Sequence, residues 1–75
     1  MQAQDLEFVR NSIRSYLRAR PHSADTAEGI QQFWIQWRDD VLPLSVVSGI
    51  LETMRNAGEL ESVNLSGRTI WRAAR

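Results

Sequence analysis

The chain has 75 residues and a mass of 8.6 kDa, enough for one small domain with one core and too little for a large composite active site. Its 43% hydrophobic content, with three Trp, two Phe and one Tyr, is that of a folding chain; with no Cys, disulfides, thiolate metal ligands and a cysteine nucleophile are excluded. Nine basic residues balance nine acidic ones, which argues against binding nucleic acid by bulk charge.

The charges are unevenly placed. Residues 1–20 sum to +2, residues 21–63 to −5 and residues 64–75 to +3. Every Lys or Arg position is Arg, whose planar fork suits phosphate or carboxylate. No apolar run approaches the roughly 18 residues of a membrane span. The opening Met1-Gln-Ala-Gln-Asp-Leu-Glu lacks the basic and apolar regions of a secretory signal. The expectation is a cytoplasmic protein with no membrane partner.

The first predicted helix spans residues 5–19. Leu6, Val9, Ile13, Tyr16 and Leu17 recur at three- and four-residue spacing and gather on one side. Acids lie in its first turn, arginines toward its end, and Pro21 stops it. Phe8 points away from the stripe, toward a secondary contact.

A second helix is expected over residues 26–37, with Asp25 or Thr26 accepting from its free amides. Its stripe is Ala27, Ile30, Phe33, Trp34 and Trp37, broad enough to leave a partly exposed patch. In a domain this small, two Trp from one helix are expected at the centre of the core. Gly29 weakens the helix slightly.

Residues 36–42 read as a polar connection. Pro43 suits the first turn of a third helix, residues 43–57, with the stripe Leu44, Val47, Ile50, Leu51, Met54 and Ala57. Gly58 follows as a left-handed cap. Residues 60–73 then carry two β-prone runs around Ser66-Gly67, the pattern of a hairpin. The fold class is mainly α with a small β-hairpin (α+β), as one domain over residues 1–75.

Three helices and a terminal hairpin, with Val47, Ile50, Leu51 and Met54 on the inner face of the third helix, Gly58 at its end, Leu60 opening the hairpin and Trp71 in its return, resemble a winged helix-turn-helix domain. The resemblance covers nearly the whole chain and rests on spacing. It implies a short strand between the first two helices, at Ser23 and Ala24. It also implies DNA binding, with the third helix in the major groove and the wing on the backbone or minor groove. On this chain the outward helix face is Ser45, Ser48, Gly49, Glu52, Thr53 and Asn56, with Arg55 at its edge. It lacks a guanine-reading Arg or Lys, and Glu52 repels phosphate.

The hairpin is better equipped, since Arg68, Arg72 and Arg75 can clamp phosphates or enter a minor groove. The candidate DNA-binding residues are therefore Ser45, Ser48, Thr53, Arg55, Arg68, Arg72 and Arg75, on a regulator that binds double-stranded DNA as a homodimer. The alternative is a winged helix turned to a protein partner, suggested by the acidic middle segment and the uncharged helix-three face. Arg10, Arg14 and Arg18 form a second ridge that also has a simpler reading, complementing the helix dipole and pairing with Glu7. Trp71 is expected in the core, opposite Arg72.

Catalysis has little support. His22, Ser23 and Asp25 are too local a cluster for a triad, which needs a scaffold holding base, nucleophile and oxyanion site. Asp39 and Asp40 offer too few oxygens for calcium. Gly49 and Gly58 have packing or capping roles rather than those of a phosphate loop. The expectation is a binding module, not an enzyme, with no cofactor and no metal.

Overall fold

The four-residue spacing of Val9, Ile13 and Leu17 becomes the buried face of α1 (Ala3–Ala19), in a computed structural model that describes residues 3–75. Met1 and Gln2, the start of the segment read for a secretory signal and of the expected domain, lie outside the described residues. Leu6 and Tyr16 pack partly against the same core. The Arg20 amide donates back to the Tyr16 carbonyl at 2.8 Å just before Pro21, which cannot continue the helix.

β1 (Ala24–Asp25) follows, one residue later than expected. Thr26 then caps α2 (Ala27–Gly29): its hydroxyl accepts from the Gly29 amide at 3.2 Å, while Asp25 Oδ1 accepts from the Thr26 amide at 2.8 Å. A Cβ at position 29 would stand 2.1 Å from that carboxylate, so Gly29 makes room for the cap.

The second helix departs from expectation. It continues as a π-helical turn over Ile30–Trp34 and stops there, so residues 35–37 are not helical. With i→i+5 bonding the turn is wider than 3.6 residues, and the apolar stripe shifts. Ile30 and Trp34 are buried, and the extended backbone at Ile35 turns that side chain inward as well. Phe33, expected in the buried stripe, is instead 73% exposed. Trp37 is half-buried, and its indole N–H donates to the Gln31 carbonyl at 2.8 Å, one of the groups a helix end leaves unpaired. Gln31 Nε2 donates to the Leu42 carbonyl at 2.8 Å and pins the connection beneath the helix.

Pro43 stands one residue before α3 (Leu44–Asn56), and its carbonyl accepts from the Val46 and Val47 amides. Val47, Ile50, Leu51 and Met54 form the buried face of α3, and Gly58 closes it at φ +83°. The chain then runs through β2 (Leu60–Leu65) and β3 (Arg68–Ala73). Ser66 and Gly67 join them with φ of 53° and 80°, the two positive values that a tight hairpin turn with the right-handed strand twist requires.

The sheet is antiparallel in the order β1-β3-β2, with Leu60 opposite Ala73, Glu61 opposite Arg72 and Val63 opposite Ile70. Opposite residues share a face. Trp71 and Ser62 therefore face the helices, and Glu61, Arg72, Val63 and Ile70 face away. One core joins α1, the π-helical turn, Ile35, α3, Leu60 and Trp71. Three helices and a small three-stranded sheet make an α+β fold whose arrangement is compatible with a winged helix.

Candidate functional site

The β1–β3 pairing draws the start of α2 toward the hairpin and opens a cleft of about 690 Å³ between it, α3 and the wing. Glu28 enters from α2, Ser48, Glu52 and Arg55 from α3, and Arg68 and Thr69 from the wing. Of the residues predicted from sequence, this cleft brings together Ser48, Arg55 and Arg68. Ser45 is exposed near the start of α3, outside the cleft lining. Thr53 is exposed too, with its hydroxyl donating to the Gly49 carbonyl at 3.0 Å.

Arg55 is tied down. Its guanidinium lies 5.3 Å from the centroid of the Trp71 ring, Nη1 donates to Ser62 Oγ at 3.1 Å, and Nη2 is 3.9 Å from Glu52. Trp71 itself is buried, as alternation along the strand predicts. Arg68 has no ion-pair partner among the described residues.

Arg72 and Arg75 are gathered elsewhere. Arg72 Nε donates to Glu61 Oε2 at 2.5 Å on the outer sheet face. The Arg75 amide donates to Glu61 Oε1 at 3.2 Å, and its side chain is 3.9 Å from the same carboxylate. The hydrogen bond from Arg72, then that from the Arg75 amide, hold the Glu61 carboxyl below its ordinary range. The three wing arginines thus do not converge on one phosphate-sized site.

The helix-one ridge is also committed. Arg10 pairs with Glu7, as expected. Arg14 reaches instead across the fold to Glu59, with Nε to Oε1 at 2.7 Å and Nη2 to Oε2 at 2.9 Å, a bidentate clamp between α1 and the entry to β2. That hydrogen bond lowers the Glu59 pKa and raises that of Arg14.

Glu28 and Thr69 were not singled out from sequence and Thr26 only as a helix cap; the pairing of β1 with β3 is what brings Thr26 and Glu28 beside the wing that carries Thr69. The Glu61–Arg72 pair was legible in principle: a two-residue turn at Ser66-Gly67 sets a register with these side chains opposite one another. His22 and the Asp39-Asp40 pair are exposed, and no group of three or more His, Cys, Asp or Glu placed to hold a metal occurs among the described residues. No described helix is long and apolar enough to cross a membrane. Comparison with known protein families, with characterised proteins and with solved structures finds no match.

Proposed function

We propose that this chain is a winged-helix binding module, not an enzyme, that receives a partner protein in the cleft between α3 and the wing. The observation that carries this reading is the charge of the cleft: Glu28 and Glu52 offset Arg55 and Arg68. A phosphate backbone is bound by an excess of cations and is repelled by carboxylates at the same surface. A cleft of mixed charge, lined by Ser48, Thr26 and Thr69 hydroxyls, suits the polar rim of a protein interface.

A second reading, duplex DNA binding, draws support from Arg68, which stands at the wing tip without an ion-pair partner, and from the topology itself. Arg72 and Arg75 would first have to leave Glu61.

Fluorescence anisotropy with a mixed-sequence duplex across a salt series separates the two readings. A photo-crosslinking amino acid at Ser48, used in the source cells, complements it. The protein reading expects no saturable duplex binding at physiological salt and a discrete protein adduct at Ser48 that Glu28→Arg, a change in the cleft wall, removes. Saturable duplex binding at that salt, lost in Arg68→Ala and with a steep salt slope, overturns it in favour of DNA.

A further inference from the structure

The groove between α1 and the segment after the π-helical turn differs in kind from the helix–wing cleft, because no carboxylate lines it. It has a volume of about 530 Å³ and shares no lining residue with that cleft. Ser15, Tyr16, Arg20, Gln36 and Arg38 are among its walls.

Two arginines are set here over aromatic rings. Tyr16 stacks on Trp34 with ring centroids 4.5 Å apart and planes 11° from parallel, and the Arg20 guanidinium lies 4.8 Å from the Tyr16 centroid. Toward the other end Arg38 lies 5.4 Å from the Phe8 centroid, and Phe8 leans on Trp37 at 6.3 Å. Neither guanidinium has a carboxylate within 4.0 Å among the described residues, whereas Arg10, Arg14, Arg55, Arg72 and Arg75 all do. Asp5, Asp39 and Asp40 line the adjoining cleft, which Phe8 and Arg38 also border, and not this groove.

A guanidinium resting on a ring keeps its N–H edge for a bidentate acceptor and has already lost much of its rotational freedom. Two such groups on one acid-free groove call for an anionic occupant with at least two acceptors. Single-stranded nucleic acid binds by stacking bases on open aromatic faces. Here Tyr16 is engaged by Trp34 and Arg20, and Phe8 by Trp37 and Arg38. Carboxylate side chains need only the N–H edges.

We propose that this groove takes an acidic segment of a partner protein, with Arg20 and Arg38 each donating to one of its carboxylates and Ser15 and Gln36 available to its backbone. The test is an amide-shift titration of the labelled full chain with a short peptide of alternating Glu and Asp, beside the matching Gln and Asn peptide and a thymidine oligonucleotide. The expected result is saturable shifts at Ser15, Tyr16, Arg20, Gln36 and Arg38 with the acidic peptide alone. They should weaken with salt and weaken about tenfold or more in Arg20→Gln/Arg38→Gln, as loss of two charge-assisted contacts demands. The melting profile of that variant, read alongside, should keep a single cooperative transition lowered only by the loss of two exposed cation–π contacts, so that the domain is still folded at the temperature of the titration.

Four results overturn the proposal. One is an absence of saturation, and another is shifts centred on Ser48, Arg55 and Arg68, which would place the peptide in the helix–wing cleft. Tighter binding of the oligonucleotide to the same groove would replace protein with nucleic acid. A concentration-dependent doubling of mass that Asp39→Asn/Asp40→Asn reverses would make the occupant a second copy of this chain.

Discussion

Replacing Arg55 by Ala tests whether this side chain is a strut of the fold or a free cation in the cleft. The guanidinium lies 5.3 Å from the Trp71 centroid, a contact worth about 0.5–1 kcal/mol where water retains access. Its hydrogen bond to Ser62 is also exposed and contributes at the low end, about 0.5 kcal/mol. The pair with Glu52 is 3.9 Å long, with side chains 41% and 59% exposed, so its contribution is close to nothing. Alanine's helix propensity returns a few tenths of a kcal/mol. The balance is a loss of about 1 kcal/mol, which in a domain of this size lowers Tm by about 4–8 °C. Thermal and urea melts followed by Trp fluorescence measure it directly. Arg55→Lys, which keeps the charge but not the planar stack, should fall between the two. A Tm for Arg55→Ala within a degree or so of the parent would show that the guanidinium is not held on the ring, and the description of the cleft would have to change.

Two further outcomes check the core and the clamp between α1 and β2. Leu51 is fully buried where α3 faces the core, and Leu51→Ala should cost about 2–5 kcal/mol, a large share of a small domain's stability, and lower the urea midpoint accordingly; an unchanged midpoint would refute the core assignment. Glu59 has its folded-state pKa depressed by the Arg14 hydrogen bond, so the stability it lends is fully present above the ordinary carboxyl pKa of 4.5 and is lost as pH falls through the lower folded value. Urea melts across that window should show Glu59→Gln less stable than the parent at neutral pH and converging with it in acid. A gap that persists unchanged in acid would mean the clamp is not electrostatic.

Much of the architecture was legible in the sequence because it depends on neighbours along the chain. Three- and four-residue apolar spacing specified the inward faces of α1 and α3, Pro21 and Gly58 marked helix ends, and Ser66-Gly67 set the hairpin. The same local chemistry placed Trp71 inward. The second helix failed this logic. Its stripe was read with a period of 3.6, but the turn that formed is wider, and Phe33 exchanged places with Ile35. Aromatic stacking of Trp34 on Tyr16 and the side-chain bonds of Trp37 and Gln31 join residues from different segments, which no periodicity registers.

The candidate site divides along the same line. Composition and order along the chain determined that the ends are basic, the middle acidic and every cationic chain an Arg. They did not determine which guanidinium groups stay available, because an ion pair forms with whichever carboxylate the fold brings near. Arg14 found Glu59, 45 residues away, rather than Glu7, about two turns back along its own helix. Arg72 and Arg75 met at Glu61, while Glu28 was carried by a two-residue strand into the cleft meant for phosphate. Coulomb attraction falls off over a few ångströms in water. The partners of a charge are therefore settled by tertiary distance, and the sequence by itself supplied only the charges.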